Sequence, residues 1–501
     1  MPSQQTGLSH NYAAKDFGWP ARILFGLLVL GSALFFGLAA GVLPWFFIVA
    51  FLVLLTMPVL AWFAPEYALL VVYAVHLGLL PPQLLGHIVT FVAISGIFVL
   101  TLIRNLGQAQ EWWPILRPYG WSYGLLMSLV AAQVVRGLFF QHTQHSLLFN
   151  ELEPYMMWLG FPILTLSLNT ERRLKFFLVG LIVLGLYVAL GQGVQTLLHH
   201  RIFFAGGYEE AETLGRSYNN VIRSVTPAIY LLMLALYLVS MRYLATPRLL
   251  LLGVMTPLLM GLLFTFGRAL IVFTLFVLFI VGLWLSRRRA WRMFVAGAIV
   301  VTVVGLVMVV YKPDTFFALF ERLTSINIEV RSGSSLGYRI MENEAAIPRI
   351  ESSPLLGIGL GQFYRQPVLA YISQGTNPIL QSGFIHNGYL YVLLKLGAVA
   401  FLAYSILVGS FYAHARRILG RLTEPSDKAI VVACVGILVI PLFTSMVRPD
   451  WMSASSTAVF AICFAIVAAV ERFRAAAPAA QAAAPKSLRS RTTYGATSPR
   501  S

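Results

Sequence analysis

The sequence predicts an all-α polytopic membrane protein with 12–14 transmembrane helices and one large loop on the outer face. Two observations carry this: composition and the spacing of apolar stretches. Hydrophobic residues fill 58% of the 501 positions, charged residues only 11%, and the mean hydropathy is +0.78. A soluble domain carries about 25% charged residues. This chain has too little polar surface to stay in water. A helix needs about 20 mostly apolar residues to cross the hydrocarbon core, and the chain supplies that unit repeatedly.

The apolar stretches lie at 22–41, 43–63, 66–81, 84–103, 120–141, 152–169, 175–198, 225–241, 247–266, 268–286, 292–310, 385–415, 429–447 and 454–471. The third is short and runs into Pro81 and Pro82, which suits a broken or re-entrant helix. The first runs on for the length of a full span, so it reads as a membrane helix and not as a cleavable signal.

Orientation follows from the distribution of the net charge of +17. Cytoplasmic loops concentrate Lys and Arg. Basic clusters stand at Arg104, Arg172 to Lys175, Arg242 with Arg248, Arg287 to Arg292, and Arg416 with Arg417 and Arg421. With the N-terminus inside, all of them fall on the cytoplasmic side. The expected organisation is transmembrane helices 1–11 with short loops over 1–310, then a large, partly helical periplasmic loop over 311–384. C-terminal transmembrane helices occupy 385–472, and 473–501 is a disordered cytoplasmic tail rich in Ala, Pro, Ser and Arg. Both termini are then cytoplasmic, and the compartment is the inner membrane of a bacterium. Cys434 and Cys463 both fall within spans and read as buried small hydrophobes.

Chemistry concentrates on the outer side. The large loop carries Lys312, Arg322, Arg331, Arg339, Arg349 and Arg365, against the charge rule. Arg268 sits where the ninth and tenth spans meet with almost no loop. An ionisable residue there is a functional candidate, or a snorkelling anchor. Arginines on an outer rim call for an anionic partner such as a phosphate, which guanidinium groups bind bidentately. His386 opens the twelfth span and suits a general base on a sugar hydroxyl; a purely local hydrogen bond is the bland reading. Asn387 either orients a sugar or caps the helix.

Lys395 would lie deep in the bilayer on a single upright helix. Either 384–394 lie flat at the interface and the span is 396–415, or Lys395 faces a polar cavity; the first is preferred. Gly357, Gly359 and Gly361 resemble a dinucleotide-type glycine pattern, but no strand–helix unit surrounds them. His142, His145, His199 and His200 fall near outer span ends without a carboxylate-rich motif, so no metal is expected. His76 and His87 read as structural.

In this order, the pieces resemble the O-antigen ligase and polymerase superfamily. The matching parts are Phe-Gly-Arg268-Ala, Gly-Tyr338-Arg339, the stretch Pro354 to Phe363, and His386-Asn387-Gly-Tyr389-Leu. The resemblance covers about 200–415. It implies a GT-C-like, inverting, metal-independent glycosyltransferase with no cofactor. Its donor is an undecaprenyl-pyrophosphate-linked oligosaccharide, met at the bilayer's periplasmic face. By the same resemblance Arg268 and Arg339 grip the donor pyrophosphate, and His386 is catalytic, activating the acceptor. Arg216, Arg223, Tyr338, Asn387 and Tyr389 are possible substrate-binding residues.

The family implies either polymerisation of O-antigen or exopolysaccharide repeat units or ligation of the chain to lipid A-core or protein. Partners are then a chain-length regulator or the lipid A-core acceptor, and no nucleic acid. Polymerisation is preferred for the high span count and long loop. A polysaccharide-lipid transporter is the remote alternative, disfavoured because no internal repeat is seen and the polar residues sit at the rim, not the midplane. A purely structural membrane partner leaves the outer arginines and His386 unexplained. A cysteine introduced beside Arg331 should react with a membrane-impermeant maleimide in whole cells, and one beside Arg288 should not; the reverse pattern refutes the orientation.

Overall fold

Within a bilayer, backbone N–H and C=O groups must find partners inside the chain, so apolar segments close into helices. A computed structural model describes residues 56–74, 87–141, 143–198, 207–213, 216–225, 228–241, 248–265, 267–285, 287–324, 335–365, 383–446 and 448–483. The contacts below all fall within the unit Leu60–Ser501. The first expected span, most of the second, His76, His142, His199, His200 and the tail from 484 lie outside the described residues.

Helices α1 (Pro65–Ala74), α2 (His87–Asn105) and α3 (Ala109–Val135) come first, α3 ending in a π-helical turn over Arg136–Phe140. Then follow α4 (His145–Met157), α5 (Gly160–Ser167) and α6 (Glu171–Leu198). The sixth expected span is thus two helices, divided at Trp158 and Leu159. Pro162 sits in the first turn of α5, where a missing N–H is tolerated.

The segment after α6 holds a two-stranded antiparallel hairpin, β1 (Gly207–Thr213) and β2 (Arg216–Val225). It adds a small sheet to an otherwise helical chain. Tyr218, Val221, Ile222 and Val225 give β2 its strand preference.

Next are α7 (Ile229–Met241), α8 (Arg248–Leu263), α9 (Arg268–Leu285) and α10 (Arg287–Tyr311). The segment expected to form the large loop contains α11 (Pro313–Thr324) and α12 (Ser335–Ser352), then an irregular glycine loop to residue 365. The chain closes with α13 (Gly388–Arg421), α14 (Pro425–Thr444) and α15 (Ala454–Ala483). The last helix passes the expected boundary at 472, carried by an alanine-rich run of high helix propensity.

Burial sorts the helices. The most apolar window of α15 is 94% buried, against 22% for the span beginning in α3. Every side chain from Ile229 to Leu238 on α7 is buried. A helix that is hydrophobic all round belongs at the centre of a bundle. Close packing there uses small residues: a Cβ on Gly261 would stand 2.7 Å from the Cα of Ala189. Outward, Val272, Phe276, Ile299, Leu306 and Val310 are exposed. So much contiguous apolar surface is stable against lipid and not against water. Among the described residues, five helices are long and apolar enough to cross a membrane alone, and shorter apolar helices accompany them. The protein is an all-α polytopic membrane protein apart from its hairpin.

Candidate functional site

The site is built around a break in α13. Gly397 adopts φ +79° and ψ −179°, which divides α13 into two helices. A break leaves carbonyls without helical partners, and the glycine loop supplies them. The Ile358 N–H donates to the Leu394 carbonyl at 2.8 Å, and the Gly359 N–H to the Lys395 carbonyl at 3.1 Å. In return the Ala398 N–H donates to the Pro354 carbonyl at 2.8 Å. Approach this close excludes side chains. A Cβ on Gly357 would meet the Lys395 carbonyl carbon at 2.6 Å, and one on Gly397 would overlap the Leu355 carbonyl. Gly357, Gly359 and Gly361 all have positive φ, which glycine adopts without steric cost. The glycine pattern therefore locks a helix break.

The end of α3 holds the loop from its other side. Gln133 donates to the Leu356 carbonyl at 2.5 Å, Arg136 to the Gly357 carbonyl at 3.0 Å and Gln141 to the Ile358 carbonyl at 3.0 Å. Below the loop, Lys395 is wholly buried, with Nζ 2.6 Å from Glu151 Oε1 and 2.5 Å from the Gln362 carbonyl. The Gly361 N–H donates to the other Glu151 oxygen at 2.6 Å. The expected division near 394–396 corresponds to a break at Gly397 in the structure. Lys395 itself takes the other course: it lies in a buried polar cluster, because Glu151 neutralises it.

Beside this cluster stands His386. Its Nδ1 is 2.8 Å from Glu342 Oε2, and its backbone N–H donates to the same oxygen at 3.1 Å. Arg365 Nη2 donates to Glu342 Oε1 at 3.1 Å. The Glu342 side chain is 1% exposed, that of His386 35%. A buried carboxylate shared by two basic side chains stays where they hold it. Tyr364 donates to the Phe384 carbonyl at 3.0 Å and pins the segment ahead of His386. These groups edge a cavity of about 500 Å³ lined by Glu151, Glu342, Gly361, Phe384, His386 and Tyr391, among others. Carboxylates and aromatic rings on one wall suit hydroxyl-rich rings, which offer donors at the edge and C–H groups on the face.

Asn387 caps α13, its side chain accepting from the Tyr389 and Leu390 N–H groups at 3.1 and 3.2 Å. The capping reading holds. Tyr389 donates to the Leu442 carbonyl and packs edge-on against Trp451, with ring centroids 4.7 Å apart. Arg339 lies three residues before Glu342 on α12, a spacing that shares one side of a helix. Tyr338 precedes it in the chain. Arg268 opens α9, and Phe273 on α9 stacks on Phe443 at the end of α14. The Gly388 N–H donates to the Ser445 carbonyl at 2.7 Å. These contacts bring the start of α9, the end of α14 and the start of α13 to one end of the bundle. On β2, Arg223 stands opposite Glu209 and Arg216 opposite Thr213 in the strand register.

Sequence reasoning missed Glu342 as the partner of His386. The two are 44 residues apart, and the only signal was a carboxylate one helical turn from Arg339. It also missed Asp450, 2% exposed, which accepts from Arg448 at 3.2 Å and from Thr444. Breaking a buried ion pair from one side costs about 3–5 kcal/mol. Lys395→Met should therefore lower the melting temperature of the detergent-solubilised protein markedly, and Glu151→Gln combined with Lys395→Met should restore part of it. A Lys395→Met variant that melts like the parent contradicts the pairing.

Residues 250–405 match the family model described as O-antigen ligase. A comparison with curated proteins gave no match. The matched stretch runs from α8 into α13 and contains Arg268, Arg339, Glu342, the glycine lock, His386 and Lys395. Over this stretch, just under a third of the chain, the protein is similar to the O-antigen ligase family.

Proposed function

We propose that this protein is a bacterial inner-membrane glycosyltransferase that extends a glycan carried on undecaprenyl pyrophosphate, joining repeat units of O-antigen or exopolysaccharide at the periplasmic face. The observation that carries the reading is the buried Glu342 carboxylate on Nδ1 of a His386 that edges a cavity. With Nδ1–H donated to Glu342, Nε2 is the nitrogen that takes a proton from an acceptor hydroxyl. The hydroxyl oxygen then attacks the anomeric carbon from the face opposite the leaving group. The bond from that carbon to the pyrophosphate oxygen breaks, and its electron pair leaves with the lipid pyrophosphate. Configuration at carbon inverts.

Negative charge grows on the leaving group as that bond breaks. Arg268 and Arg339 are the residues we assign to it: fixed guanidinium charge stabilises a developing anion best in a site screened from water. In this reading no metal is needed, since the arginines neutralise the pyrophosphate. Glu342 holds the imidazole in one tautomer and stabilises the imidazolium once the proton arrives.

The acceptor separates polymerase from ligase. The many apolar helices and long outer segment favour a lipid-linked acceptor and hence polymerisation. Transfer to lipid A-core or to protein is the second reading, favoured by the description of the matching family as O-antigen ligase. Resolving lipid-linked intermediates from surface polysaccharide in a deletion strain tests both. Single repeat units left on the carrier or on lipid A mean polymerase, and full-length chains stranded on the carrier mean ligase. Complementation by Arg268→Ala, Arg339→Ala or His386→Ala should fail although each variant reaches the membrane. A wild-type profile in the deletion strain, or full complementation by all three variants, contradicts the proposal.

A further inference from the structure

At the far end of α13 lies a second, unrelated basic site. From Gly397 to Arg417 the helix rises about 30 Å at 1.5 Å per residue, which is the thickness of the hydrocarbon core. There α3 and α13 leave a groove of about 450 Å³ lined by Pro114, Arg117, Pro118, Ser410, His414 and Arg417, among others. His414 is 1% exposed, and its Nε2 is 2.7 Å from Glu471 Oε2. Its other nitrogen, Nδ1, is buried with no hydrogen-bond partner among the described residues. Buried polar atoms are almost always bonded, so this nitrogen is a polar group open to a ligand atom.

Neighbouring residues fix what kind of ligand. Trp113, Arg117 and Trp121 are spaced four apart on α3 and so share a face. The two tryptophans are 57% and 61% exposed. Exposed tryptophan beside arginine is the signature of the lipid headgroup layer. Basic pockets between membrane helices take the headgroups of anionic lipids.

We propose that this groove binds the phosphate of an anionic phospholipid headgroup. Arg117 and Arg417 flank the phosphate from the two helices, and a phosphate oxygen accepts from Nδ1 of the imidazole that Glu471 already holds through Nε2. The site ties α3 to the cytoplasmic end of α13. It does not depend on the reading of the His386 site.

Native mass spectrometry of the full-length protein, titrated with dioleoyl phosphatidylglycerol or dioleoyl phosphatidylcholine, tests this. Phosphatidylglycerol adducts should dominate, and retention should fall about fivefold for each of Arg117→Gln and Arg417→Gln. Arg416→Gln, one position off the groove, should leave retention unchanged. Since Arg117 and Arg417 are exposed, the variants should melt like the parent without added lipid, and phosphatidylglycerol should raise the melting temperature of the parent alone. Equal retention of the two lipids, no loss in the double variant, equal loss in Arg416→Gln, or displacement of the lipid by millimolar inorganic phosphate each overturns the proposal.

Discussion

A helix cannot be interrupted in a bilayer without something else bonding the freed backbone groups. In this protein the interruption is at Gly397 and the bonding comes from a loop some forty residues earlier. The exchange of backbone hydrogen bonds across 354–359 and 394–398 seats the glycine loop against α13. That contact places Gly361 on Glu151 and Gln362 on Lys395. The same loop leads through Tyr364 and Arg365 to Phe384 and Glu342, and so to His386. Remove the break, and neither the buried lysine nor the histidine keeps its partner.

Two carboxylates face one cavity under different control. Glu151 is neutralised by a fully buried lysine, so it serves structure and supplies a fixed dipole. Glu342 is shared between a guanidinium and an imidazole that is one-third exposed. Only the second arrangement leaves a titratable ring at the edge of the cavity. In a low-dielectric setting such pairing fixes orientation more than it adds stability.

The membrane helices were legible from composition because lipid imposes one rule on every span: about 20 apolar residues. From the third span on, each expected stretch overlaps a helix of the described structure. Three features were not legible. The division of the sixth span at Trp158 and Leu159 is announced only by Gly160 and Pro162, which membrane helices tolerate. The β1–β2 hairpin lies in a short segment with too little alternation to stand out. Glu342 lies in a helix among other acidic residues, and its pairing with His386 depends on how the chain folds back over 44 positions. Lys395 shows the same limit from the other side. Its position in an apolar run was plain, but its resolution needed Glu151, 244 positions away in the chain. His386 and Asn387 were picked out as adjacent polar residues opening a span, and Asn387 turned out to cap that span.

The central claim is that His386 removes the acceptor proton while Glu342 holds it in position. Transfer measured with purified, reconstituted protein and a lipid-linked donor tests this most directly. His386→Ala should lower kcat by about 10²- to 10⁴-fold, the usual worth of a general base. Glu342→Gln should lower kcat by about 10- to 100-fold, leave KM for the donor nearly unchanged and shift the acid limb of the pH–rate profile. A Glu342→Gln enzyme with parental kcat and pH profile, or a His386→Ala enzyme that turns over normally, contradicts the account.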